Sequence, residues 1–106
     1  MDIAISINKV PVRMTNERWL HISNGHPEIA PFYDTILETI EKPDIIYKGI
    51  ENEYIATKKI LYNEKPFFIV VVYKEASDKD GFVITAFLTN KTGYLNKKEI
   101  IWKQKN

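Results

Sequence analysis

The sequence predicts an α+β fold: two N-terminal helices packed on a four-stranded antiparallel sheet, with an N-terminal edge strand. Three observations predict it. Residues 66–90 contain two apolar runs, 67–73 with no charge and 82–88 with Thr85 as the sole polar member. Runs of this length rich in Val, Ile and Phe are strands with both faces at least partly covered. The segment between them, residues 75–81, is turn chemistry ending in Gly81, so the two strands form an antiparallel hairpin. Finally, apolar spacing is helical before Pro43 and strand-like after it. Helices grouped before a meander of strands give a two-layer α+β arrangement.

Each element follows from its own residues. Ile3, Ile5 and Ile7 alternate with polar or small residues, and Pro11 then interrupts the pattern, which predicts an edge strand or extended arm. Thr15 and Asn16 suit a helix start, Glu17 suits its first turn, and Asn24-Gly25 ends it, giving a helix near 15–23. Ile29, Tyr33, Ile36, Leu37 and Ile40 lie on one face of a second helix near 29–42, with Pro31 in its first turn and Lys42-Pro43 as its stop. Strands are expected near 44–50, 53–61, 66–74 and 82–89, with turns at Glu51-Asn52 and at residues 62–65. Ile100, Ile101 and Trp102 pin the tail to the body as a short strand or turn.

Composition bounds the function. A chain of 106 residues is expected to be one domain. There is no cysteine, which removes disulfides and thiolate zinc sites and is compatible with the cytoplasm. Residues 1–10 lack the pattern of a secretory signal, and no apolar run approaches the ~20 residues that span a bilayer, so no membrane partner is expected. A net charge of +1 argues against a globally basic nucleic-acid binder. The basic residues are nevertheless unevenly placed: after Asn90 come Lys91, Lys97, Lys98, Lys103 and Lys105 against Glu99 alone.

Few residues are suited to chemistry. Both histidines, His21 and His26, lie in the first helical region, and His21 stands three after Arg18 on the same side. Histidine is the natural acid–base near neutral pH, though a histidine in a Trp-Leu-His-Ile helix is often structural. His26 before a proline reads as a cap or turn residue. Two histidines without a third ligand predict no metal, and no cofactor motif is present. Lys58 and Lys59 point to opposite faces of their strand. Centring both hairpin turns places Lys59 opposite Phe68 and Val72 opposite Thr85, so Lys59 and Thr85 share a face with Phe68, Val70 and Phe87. A slip of one residue would reverse this.

The wording of the chain adds to these features. Thr15-x-x-Arg18-Trp19-x-His21-Ile22, then His26-Pro27-Glu28, Lys42-Pro43-Asp44, the run at 69–74 and the run at 82–89 resemble a family of small prokaryotic and phage-associated proteins. These are grouped with the barnase–EndoU–colicin–RelE-like nuclease fold, and the resemblance covers about residues 13–92. It implies helices on a four-stranded antiparallel sheet and metal-independent RNA cleavage, often by toxin components of toxin–antitoxin pairs. It implies His21, Lys58 or Lys59, and Thr85 as catalytic candidates. Lysine in place of the frequent arginine keeps the charge but loses the bidentate grip on phosphate. The implied mechanism is attack of an RNA 2′-hydroxyl on its own phosphate, with His21 as base or acid and Arg18, Lys58 or Lys59 as the cation. Thr85 donates to a phosphate oxygen, and Phe87 contributes to substrate binding. The implied partners are RNA and a cognate antitoxin. The alternative class is a non-catalytic module of the same fold that binds RNA or a protein through the basic tail and the Phe87 face.

Overall fold

A computed structural model of the chain describes residues 1–105. The fold is α+β, with the helical segments gathered on one face of a mixed seven-stranded sheet of order β1-β2-β6-β5-β4-β3-β7. The strands are β1 (Asp2–Ile5), β2 (Pro11–Met14), β3 (Ile45–Lys48), β4 (Glu53–Tyr62), β5 (Lys65–Glu75), β6 (Gly81–Thr89) and β7 (Ile100–Lys103). The helices are α1 (Asn16–Gly25) and α2 (Tyr33–Glu41).

The centre of the sheet matches the expectation. β4, β5 and β6 are its longest strands and pair antiparallel. Lys59 stands opposite Phe68 and Val72 opposite Thr85, the register expected from centred turns. Asn63 and Glu64 close the β4–β5 hairpin with φ of 52° and 63°, the left-handed pair that a two-residue turn of this kind requires.

The margins differ from the expectation. The sheet has seven strands rather than four, and it is not wholly antiparallel. Residues 1–14 form a hairpin, β1–β2, and β2 then pairs parallel with β6 at Val12↔Gly81 and Arg13↔Phe82. Pro11 therefore lies in an internal strand, at its first residue, where a missing donor is tolerated. The edge is β1. The Arg13 guanidinium fastens the junction by donating to both carboxylate oxygens of Asp80, at 2.8 and 3.0 Å. At the other margin residues 100–103 pin the tail to the body as a short strand, as expected, pairing with β3 as the second edge.

The second helix is also shorter than its apolar face. Pro27–Phe32 winds as a 3₁₀ helix and α2 begins only at Tyr33. Pro31 is the reason: its ring crowds the preceding turn and it has no N–H for an α-type bond. The expected face survives the change, and Ile29, Ile36 and Ile40 are all fully buried. With Ile22 they pack on Ile46, Ala56, Ile69, Val71, Tyr73 and Ala86 from the sheet. At about 1.5–3 kcal/mol for each large apolar side chain, this layer is the main stabilising contact between helices and sheet.

The opposite face carries a smaller cluster. Ile55 and Val70 pack under Leu95, from a short 3₁₀ turn at Gly93–Leu95, with Tyr47, Phe68, Val72 and Phe87 half-buried around them.

Candidate functional site

Helix α1 is fixed at both ends by local chemistry. The Thr15 hydroxyl accepts the backbone N–H of Arg18 at 3.1 Å, an N-cap bond. At the far end the His26 N–H donates to the Ile22 carbonyl at 2.8 Å. Ile22 anchors the helix in the core, and Trp19 packs edge-on against Tyr33 with ring centroids 4.9 Å apart. These contacts hold the outward side of α1 in a set orientation.

That side lines a cleft of about 390 Å³, formed by Thr15, Glu17, Arg18 and His21. Glu17 and His21 are four residues apart and therefore neighbours on the helix surface, and both are exposed. Arg18 is half-buried, and its Nη1 donates to the carbonyl of Ile84 at 3.2 Å. Ile84 is the extra residue of a β-bulge in β6, since Val72 pairs with Thr85 and Tyr73 with Val83. The bulge redirects a carbonyl out of the ladder, and Arg18 takes it. A guanidinium has five N–H donors, so this single bond leaves others for an anion in the cleft.

The expected site residues fall into three places. Arg18 and His21 meet in the cleft. Lys58 points toward the helices: its Nζ donates to the Lys42 carbonyl at 3.0 Å and lies 3.5 Å from Glu38 Oε1, so it closes the C-terminal end of α2. Lys59, Thr85 and Phe87 lie on the face away from the helices, as their register requires. Lys59 has its backbone N–H bonded to Asp44 Oδ2 at 2.7 Å and its side chain exposed. None of these last four lines the cleft.

Two residues gain weight from the structure. Glu17 supplies a carboxylate beside His21. Its sequence signal was the i, i+4 spacing to that histidine, which was masked by its equally good fit to a helix first turn. His26 caps α1 as expected, but its ring also lies against Phe87, with centroids 5.6 Å apart, and its Nδ1 is 3.5 Å from Glu28 Oε1. Among the described residues, no group of three or more His, Cys, Asp or Glu is placed to hold a metal ion, and no helix is long and apolar enough to cross a membrane.

No protein-family model, curated protein or solved structure matches this chain.

Proposed function

We propose that the protein is a metal-independent ribonuclease whose reacting groups are Glu17 and His21. The observation that carries this is the shared cleft of Glu17, Arg18 and His21. A carboxylate and an imidazole about 5–6 Å apart at their Cβ atoms can flank one phosphate. One takes the proton from the RNA 2′-hydroxyl as the 2′-oxygen bonds to phosphorus. The other gives a proton to the 5′-oxygen as the P–O5′ bond breaks, leaving a 2′,3′-cyclic phosphate. Arg18 stabilises the added negative charge on the phosphorane oxygens. Lys59 and Thr85, on the other face of the sheet, act on substrate outside the cleft, and Lys58 has a structural role. The sequence resemblance to the barnase–EndoU–colicin–RelE-like nucleases supports the same chemistry, and with it the role of a toxin component held by a cognate antitoxin.

The test is cleavage of single-stranded RNA in the presence of a chelator, with product ends identified. Wild type should give cyclic phosphate ends. His21→Ala and Glu17→Gln should each lower the rate by about 10²–10⁴-fold, the usual worth of a general acid or base, at unchanged melting temperature. Wild-type protein that cleaves no RNA would replace this reading with the non-catalytic binding module.

A further inference from the structure

The face of the sheet away from the helices is apolar and aromatic at its centre, with Lys59 and Lys91 exposed toward its margin. Phe68 and Phe87 are diagonal neighbours on it, because Phe68 pairs with Thr89 and Val70 with Phe87. Diagonal side chains of this kind stand about 7–8 Å apart. Both rings are partly buried beside Leu95, with part of each still open, and the His26 ring lies against Phe87. Lys59 is exposed across from Phe68, and Lys91 is exposed just beyond the end of β6.

Charge decides what such a face fits. Residues 91–105 hold five lysines and one glutamate, leaving the rest of the chain with ten basic and thirteen acidic residues. The positive charge of the molecule is thus concentrated in the segment that borders this face. Strands β3 to β6 place one carboxylate on the face, Glu53, directly opposite Lys74 and at the end away from Lys59; two more stand at its margin, Asp44 on the Lys59 backbone N–H and Glu28 beside His26. An apolar protein partner would meet Lys59 and Lys91 here, which have no ion-pair partner among the described residues, whereas a polyanion with flat, stackable groups is complementary to both features.

We propose that this face binds single-stranded RNA, with bases stacked on Phe68 and Phe87 and backbone phosphates held by Lys59 and Lys91. Stacking is sequence-tolerant because every base has a π face, and lysines track the backbone without reading it. A duplex keeps its bases stacked on one another and cannot offer them to the phenyl rings. The preference for RNA rests on the ribonuclease reading, while the stacking and charge do not.

The experiment measures binding apart from cleavage. The probe is a labelled 2′-O-methyl RNA strand of about 12 nucleotides, within the site sizes of single-strand platforms. It has no free 2′-hydroxyl to attack the phosphate, so binding can be read whether or not the protein cleaves. Fluorescence anisotropy at low salt should show saturable binding, at least about tenfold tighter than to the matching duplex. Phe87→Leu and Phe68→Leu keep an apolar side chain and remove the π face; each should weaken binding about tenfold. Lys59→Glu combined with Lys91→Glu should weaken it by more and reduce the salt dependence. Melting temperatures check that each variant is folded; if a phenylalanine variant is not, the lysine variant and the duplex comparison decide. Equal affinity for strand and duplex, no effect of the lysine reversal, or no binding by wild type overturns the proposal. Binding without any cleavage of ordinary RNA keeps this surface and removes the ribonuclease reading.

Discussion

The two faces of the sheet are built from the same strands and come to opposite ends. In β5, Ile69, Val71 and Tyr73 face the helices and are fully buried, while Phe68, Val70 and Val72 face the other way. Only Val70 of the second set is fully covered, by way of Leu95; Phe68 and Val72 are partly buried. One face is the main core, and the other carries a smaller core under Leu95 whose outer residues stay partly open. A strand apolar on both sides therefore does not imply two equally covered sides. The stability of the molecule rests chiefly on the helix side.

The largest expected difference tests that division directly. Ile69→Ala empties a site in the helix-side core and should cost about 2–5 kcal/mol. Val72→Ala, on the same strand but only partly buried, should cost about 1 kcal/mol. At about 4 °C for each kcal/mol, the two melting temperatures should differ by several degrees. Equal losses would show that the second face is covered in solution.

A smaller effect has the opposite sign. Tyr73 is fully buried on the helix side, and its hydroxyl has no hydrogen-bond partner among the described residues. Burial is the chief cause that pushes its pKa upward. An unpaired buried hydroxyl costs about 1–3 kcal/mol, so Tyr73→Phe should leave the melting temperature unchanged or raise it. A clear drop would mean that the hydroxyl is satisfied, and that the helix-side core is less dry than its residues suggest.

The smallest effect concerns the edge of the sheet. The Tyr33 hydroxyl donates to Asp2 Oδ2 at 2.6 Å, tying β1 to α2. Burial first, and then this bond, push the Tyr33 pKa from 10.0 up to about 12. A raised pKa means that the folded state holds the proton more tightly. The contribution is thus complete below pH 10 and is lost as pH rises through about 12. The bond is exposed, so Tyr33→Phe should lower stability by less than about 1 kcal/mol and should flatten the alkaline fall in melting temperature. An unchanged alkaline profile in the variant would place that fall elsewhere.

The sequence by itself determined what depends on neighbours along the chain. Thr15 as helix cap, the stop at Lys42-Pro43, the β4–β5 turn and the register of β4 with β5, and of β5 with β6 up to the bulge at Ile84, follow from local chemistry and from the period of two. The pairing of Arg18 with His21 in the cleft follows from helical spacing, and Glu17 was equally within reach of that argument. Tertiary structure decided what depends on distant partners. The parallel pairing of β2 with β6 joins Val12 to Gly81, and a short polar-flanked segment carries no mark of the strand it will choose. The same holds for β7 on β3. It also decided how the two lysines divide: period two sets them on opposite faces, but only the packed helix shows that Lys58 is used up at the end of α2 while Lys59 stays free of the helix layer. The physical reason is common to all three. Apolarity and period record which side chains leave water, whereas the identity of what covers them is fixed only when the chain closes on itself.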